Sequence, residues 1–192
     1  MPCSATCCRR FSRTPQPAVD ESTGTVRIGR LVAGAQLTAV ALNALPDPQS
    51  IQDHLHRLAD SVDTDPRLAV STAKALIEST AKCVLTARER SYTRSAKVPA
   101  LVNAAQESLG LAAKSVSDED RALRQALQSL VTLTQSVTEI RNSVGIDHGA
   151  EEVPRWVRPR HARLVVGAAQ VWCQLMLETL ADLDAPWRHS KS

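Results

Sequence analysis

Arg141 and His148 form an R-x6-H pair in the segment Arg141-Asn142-Ser143-Val144-Gly145-Ile146-Asp147-His148-Gly149. Imidazole is the side chain suited to moving protons near neutral pH, either taking one from a ribose hydroxyl or giving one to a leaving oxygen. A guanidinium directed at a phosphate stabilises the negative charge that builds on a phosphorane through paired hydrogen bonds. Such a pair can cleave RNA with no metal or other cofactor. Asn142 adds a neutral donor for phosphate or ribose, and Gly145 and Gly149 let the loop fold the imidazole back toward Arg141. The same residues also read as a helix end followed by a glycine turn, with Arg141 beside the last carbonyls. Spacing alone leaves both readings open.

The helix that must present Arg141 begins at Ser117, where a cap followed by Asp118, Glu119 and Asp120 places negative charge on a first turn. Its apolar stripe is Leu123, Leu127, Leu130, Thr134 and Val137, and the next position is Arg141. A guanidinium there emerges at the edge of an apolar surface and needs an anion. Upstream, Thr64-Asp65-Pro66 offers a cap with proline just inside, and Ala69, Ala73, Leu76, Ile77, Thr80, Val84 and Ala87 continue one face for five turns. A shorter amphipathic helix spans 50–62, and Pro99 opens another that Gly110 stops. A last helix runs from about residue 160 to 183. It is apolar at nearly every position between Leu164 and Leu177, with a narrow polar line through Arg163, Gln170, Gln174 and Glu178. That pattern fits a central helix of a bundle or one lying against a partner subunit, and it is too short for a membrane span.

These patterns predict an all-α compact helical bundle of about five helices with a disordered N-terminal tail. The chain has 192 residues, 43% hydrophobic and only 3% aromatic, which suits one domain of helices packed through small side chains. Residues 1–49 read as a disordered or weakly helical extension, with an Ala- and Leu-rich helix over 27–45; 50–185 form the domain and 186–192 a tail. Most of the net charge of +3 resides in the extension, where Arg9, Arg10, Arg13, Arg27 and Arg30 outnumber Asp20, Glu21 and Asp47, and the rest of the chain is near neutral. RNA binding must therefore come from a local patch rather than from bulk charge. An odd count of five cysteines without a repeated spacing argues against a disulfide framework and for the cytoplasm. Cys3, Cys7 and Cys8 lack a fourth ligand for zinc, so no metal is expected.

Other residues could join the site. Arg155, Trp156, Arg158 and Arg160 combine cations with an aromatic, a composition suited to phosphates and a stacked base, although Glu151 and Glu152 dilute the charge. His161 and Arg163 face the same cleft or bond to the loop. Glu78 could anchor Arg141 across the bundle, or pair with Lys74 as an ordinary i, i+4 neighbour. His54 and His56, two apart on a helix, diverge and do not make a metal site.

The segment Ile140-Arg141-Asn142 followed by Gly145-Ile146-Asp147-His148-Gly149 resembles the LRN…GxxHG signature of the abortive infection C-terminal domain, with Ile140 in the leucine's place. Two further blocks, 65–79 and 160–169, resemble the same family. The R-x6-H element is similar to the motif of the higher eukaryotes and prokaryotes nucleotide-binding (HEPN) superfamily. The resemblance implies a helical domain, commonly dimeric, and a metal-independent RNase of a toxin or phage-defence system. It implies Arg141 as phosphate and transition-state contact, Asn142 as its polar neighbour and His148 as general acid or base. Expected partners are RNA, a second copy of the chain, and a cognate inhibitor or partner defence protein, with no membrane. The alternative is a non-catalytic helical module that binds RNA, a nucleotide or another protein. Ser143 and Asp147 depart from the pattern, since a basic residue and a small or neutral one are expected there.

Overall fold

The structure is a computed structural model that describes residues 18–20, 25–27, 37–45, 47–144 and 156–189. The chain divides into two units, Met1–Val32 and Ala33–Ser192. In the first unit, β1 (Ala18–Asp20) pairs antiparallel with β2 (Thr25–Arg27), with Val19 opposite Val26.

The second unit is the predicted helical bundle. Its long helices are α2 (Gln49–Ser61), α3 (Pro66–Ala87), α4 (Val98–Ser108), α5 (Arg121–Val144) and α6 (Pro159–Ala181), with short α1 (Ala39–Asn43) and α7 (Pro186–His189) at its ends. The helix expected over 27–45 is described only as α1. Thr38 starts it by accepting a hydrogen bond from Ala41 N, 3.2 Å away.

Helix α3 is the axis of the bundle and packs against α2, α4, α5 and α6. Asp65 caps it, accepting from Leu68 N at 3.0 Å, and Pro66 occupies the first turn, where a missing N–H removes no helical bond. Its predicted stripe is buried from Ala69 to Val84. Ala69, Ala73 and Ala81 on α3 and Ala162 and Ala169 on α6 have no exposed surface, so these small side chains allow the helices to approach closely while Leu76, Ile77, Trp172 and Met176 fill the remaining volume. Trp172 Nε1 donates to Gln106 Oε1 at 3.4 Å, which gives two buried polar groups a partner. Helix α4 ends as its sequence predicts: Gly110 takes φ +72°, the left-handed conformation glycine adopts freely, and Leu111 N returns to Gln106 O at 2.8 Å.

Two expectations change. Ser117 caps a 3-10 turn, Asp118–Asp120, and α5 starts only at Arg121. The long α5 then extends past the core at its N-terminal end, so Leu123 is exposed while Leu127, Thr134 and Val137 on the same stripe are buried. Helix α6, at 23 residues, is long and apolar enough by composition to cross a membrane, which corrects the reading of it as too short; half of its most apolar window is buried inside the bundle. The C-terminal segment folds back as α7. There Trp187 lies between the guanidinium groups of Arg88 and Arg188, 3.9 and 4.3 Å from the ring centre.

Candidate functional site

Arg141 sits in the last turn of α5, half-buried, and Asn142 beside it is exposed. The helix ends three residues later at Val144, so Arg141 lies close to the C-terminal carbonyls that have no partner within the helix backbone. One of those carbonyls has a cation from another element. The Arg67 guanidinium, in the first turn of α3, donates to Val144 O at 3.1 Å, while its buried Nε has no hydrogen-bond partner among the described residues. Asp65 and Pro66 fix the start of α3 and thereby place Arg67 against the end of α5.

The N-terminal end of α6 arrives at the same end of the bundle. Arg163 pairs with Asp63, just past α2, at 2.7 Å, with both side chains largely in solvent. At the entry to α6, His161 Nδ1 accepts the backbone N–H of Arg158 at 3.2 Å, which keeps Nδ1 as the lone-pair nitrogen and leaves Nε2 to carry the proton of the neutral ring. Its ring centre lies 5.9 Å from that of Trp156, which is 48% exposed. A flat apolar ring therefore stands partly open beside the exposed Arg158 and Arg160. The start of α3, the end of α5 and the start of α6 together bring Arg67, Arg141, Arg158, Arg160 and Arg163 to one end of the bundle, against Asp63 and Asp65. This end can bind an anion, and the exposed indole can stack on a base.

Of the predicted residues, Arg141, Asn142, Arg158, His161 and Arg163 fall at this end. His148 and Arg155 lie outside the described residues. Glu78 is elsewhere: it is eleven residues beyond Arg67 along α3, about 16 Å by helical rise. Its two carboxylate oxygens bond to Lys74 and Lys82, each at 2.7 Å, so the i, i+4 reading of Glu78 matches the observed contacts. Burial raises its pKa, but the hydrogen bonds and charges of the two lysines outweigh that and hold the carboxyl below its usual range. Arg67 and Asp63 were not singled out in the sequence. The available signal was the Asp65-Pro66 cap, which places Arg67 at a helix start but gives no partner.

Groups away from this end play structural parts. His54 bonds Ser79 Oγ at 3.0 Å, and burial, then the charge of Arg57, pushes its pKa down. Burial pushes the thiol of Cys173, inside the core, up to about 12. Among the described residues no three His, Cys, Asp or Glu side chains gather where they could hold a metal ion.

A family model described as Abi_C, a HEPN-like domain, matches residues 49–180. The chain belongs to this family. The match runs from the first residue of α2 almost to the end of α6, so the cation-rich end lies within the Abi_C domain. The β1–β2 pair, α1 and α7 lie outside it. No curated protein and no solved structure matches the chain. Membership in Abi_C fits a role of the abortive-infection or defence type.

Proposed function

We propose that this Abi_C domain is a metal-independent endoribonuclease of a phage-defence or toxin-type system, acting in the cytoplasm as a homodimer. The observation that carries the reading is the position of Arg141 and Asn142: they occupy the last turn of α5, at the end of the bundle where α6 begins with Arg158, Arg160, His161 and Arg163. In the proposed reaction a ribose 2′-oxygen attacks the adjacent phosphorus, its bond to phosphorus forms, and the bond from phosphorus to the 5′-oxygen breaks. The 2′-hydroxyl proton passes to a base, and a proton is delivered to the departing 5′-oxygen. The products are a 2′,3′-cyclic phosphate and a 5′-hydroxyl end. His148 is assigned one of the two proton transfers, and Arg141 stabilises the charge on the equatorial phosphate oxygens. Asn142 orients phosphate or ribose, while Arg155, Arg158, His161 and Arg163 hold the flanking strand. A cognate inhibitor or partner defence protein would restrain this activity until infection.

The test is cleavage of RNA by the purified chain in EDTA. The expected result is cyclic-phosphate products from the native chain and loss of them in His148→Ala. Equal products at equal rates from both, or activity that appears only with added metal, would refute the assignment. One observation favours a second reading, a non-catalytic RNA- or nucleotide-binding module: the exposed Trp156 with its neighbouring arginines can grip phosphate and base without the imidazole. That reading predicts weakened RNA binding in Arg141→Ala and no cleavage under any condition.

A further inference from the structure

The outer face of the N-terminal half of α5 carries a polar cluster. Arg121, Arg124, Gln125, Gln128, Ser129 and Thr132 recur at steps of one and three, which gathers them on the side turned away from buried Leu127 and Thr134. Together with Ala113, in the 3-10 turn Ala113–Ser115, they line a cleft of about 630 Å³. Its two ends offer different chemistry. At the first end Arg124 is half-buried, and its Nη2 donates to Val116 O at 2.7 Å, which holds the guanidinium in place one turn after exposed Arg121. Glu119 and Asp120 precede Arg121, yet neither lines the cleft. Two guanidinium groups there suit an anion. At the other end Ser129 Oγ donates to Gln125 O at 2.8 Å and Thr132 Oγ1 to Gln128 O at 3.1 Å. With their hydrogens committed to the helix, both hydroxyls offer only lone pairs to the cleft. Lone pairs repel a phosphate and accept from a hydroxyl. The carboxamides of Gln125 and Gln128, between the two ends, can donate or accept.

The lining also narrows the ligand by what it lacks. Among the described residues no aromatic ring lines the cleft, so a nucleobase finds no stacking face, and no carboxylate lines it to repel a phosphate. A second cleft of about 400 Å³ shares Ala113 and Gln128 with the first and adds the carboxamides of Asn103, Gln106 and Gln135. Gln106 is only 2% exposed and holds its two hydrogen bonds at 3.4 and 3.5 Å, long for such bonds. Donors and acceptors for a polyhydroxylated ligand therefore continue beyond Gln128. We propose that the cleft binds a sugar phosphate, with the phosphate on Arg121 and Arg124 and the sugar hydroxyls on Gln125, Gln128, Ser129 and Thr132. Arg124 and Gln128 are one helical turn apart, about 6 Å of rise, a reach suited to a pentose phosphate. Such a unit has two sources, a free sugar phosphate and the backbone of an RNA strand. The cleft lies about 26 Å of helix rise from Arg141, so it is a site separate from the cation-rich end, and it does not rest on the nuclease reading.

Calorimetric titration of the full chain in phosphate-free buffer at physiological ionic strength tests the site. The probes are ribose 5-phosphate, ribose, inorganic phosphate and a short single-stranded RNA, the last titrated into His148→Ala so that cleavage does not intrude. Ribose 5-phosphate is expected to bind with Kd below about 1 mM, and ribose and inorganic phosphate at least roughly tenfold more weakly. Arg121→Gln and Gln128→Ala, both at exposed positions, should weaken binding roughly tenfold and fivefold with helical circular dichroism unchanged, whereas Arg141→Ala should leave it as it was. Loss of ribose 5-phosphate binding in the first two variants, with RNA affinity unchanged, assigns the cleft to a free sugar phosphate. Loss of RNA affinity in the same two variants assigns it to the RNA backbone. Insensitivity of both probes to both variants overturns the proposal, as does loss of ribose 5-phosphate binding in Arg141→Ala. Inorganic phosphate bound as tightly as ribose 5-phosphate would mean an adventitious ion only and would overturn it too.

Discussion

Replacing Arg67 with methionine isolates the contact that closes the motif helix. The guanidinium of Arg67 donates to Val144 O at 3.1 Å, across 77 positions of sequence. A hydrogen bond from a charged donor contributes about 1.5–3 kcal/mol, and a cation at a helix C-terminus about 0.3–1 kcal/mol more. Against this, the buried Nε of Arg67 has no partner among the described residues, and removing an unsatisfied buried N–H returns about 1–3 kcal/mol. Methionine keeps the packing of the stem. The net loss of global stability should therefore be small, about 1 kcal/mol, which lowers the melting temperature by roughly 2–4 °C. The local effect should be larger than the global one. Without the clamp, the last turn of α5 opens more often, and the amides of Arg141–Val144 should exchange about tenfold faster, while those of α3 change little. Hydrogen exchange read by mass spectrometry, beside a urea titration, measures both. Unchanged exchange at the end of α5 would refute the clamp, and a global loss above about 3 kcal/mol would show that Arg67 supports the core instead.

Two more predictions concern titrating groups. Lys74 and Lys82 hold the Glu78 carboxyl below its usual range, so its ion pairs should add stability above the unfolded-state pKa and lose it as pH falls through the folded one. Urea midpoints of the native chain and of Glu78→Gln should differ at neutral pH and converge in acid; a difference that persists in acid would contradict this. Cys173 is fully buried with its thiol pushed up to about 12, so at pH 8 it should resist alkylation in the folded chain and react once urea unfolds it. Peptide mass spectrometry reads this directly, and rapid labelling of the native chain would show that the core opens around Trp172.

Much of the bundle was legible because its signals are local. Asp65 and Pro66 mark the start of α3, Gly110 stops α4, and the three- and four-residue spacing from Ala69 to Val84 is the buried face. What escaped depends on distant partners. Leu123 continues the stripe of α5 in sequence yet is exposed, since no described helix packs over it. Of the apolar run over 27–45, read as one helix, residues 28–36 lie outside the described residues; the described helical part is α1, Ala39–Asn43, whose cap Thr38 also donates its backbone N–H to Gln174 on α6 at 3.0 Å. At the site, Arg141 could be placed at a helix end from its position after the stripe. Arg67 could not, because its role comes from a carbonyl on another helix, and periodicity carries no information about such a contact.

The three tryptophans of the chain occupy three different surroundings. Trp172 is sealed in the core, Trp156 stands half-open at the cation-rich end, and Trp187 is held between two arginines near the last turn of α3, about 30 Å of helix rise from Arg67. Each is a built-in fluorophore for a separate event. Emission from Trp156 follows what binds at the cation-rich end, that of Trp172 follows unfolding, and that of Trp187 follows release of the C-terminal segment. Chains that keep one tryptophan at a time would separate ligand binding from loss of fold without an attached label.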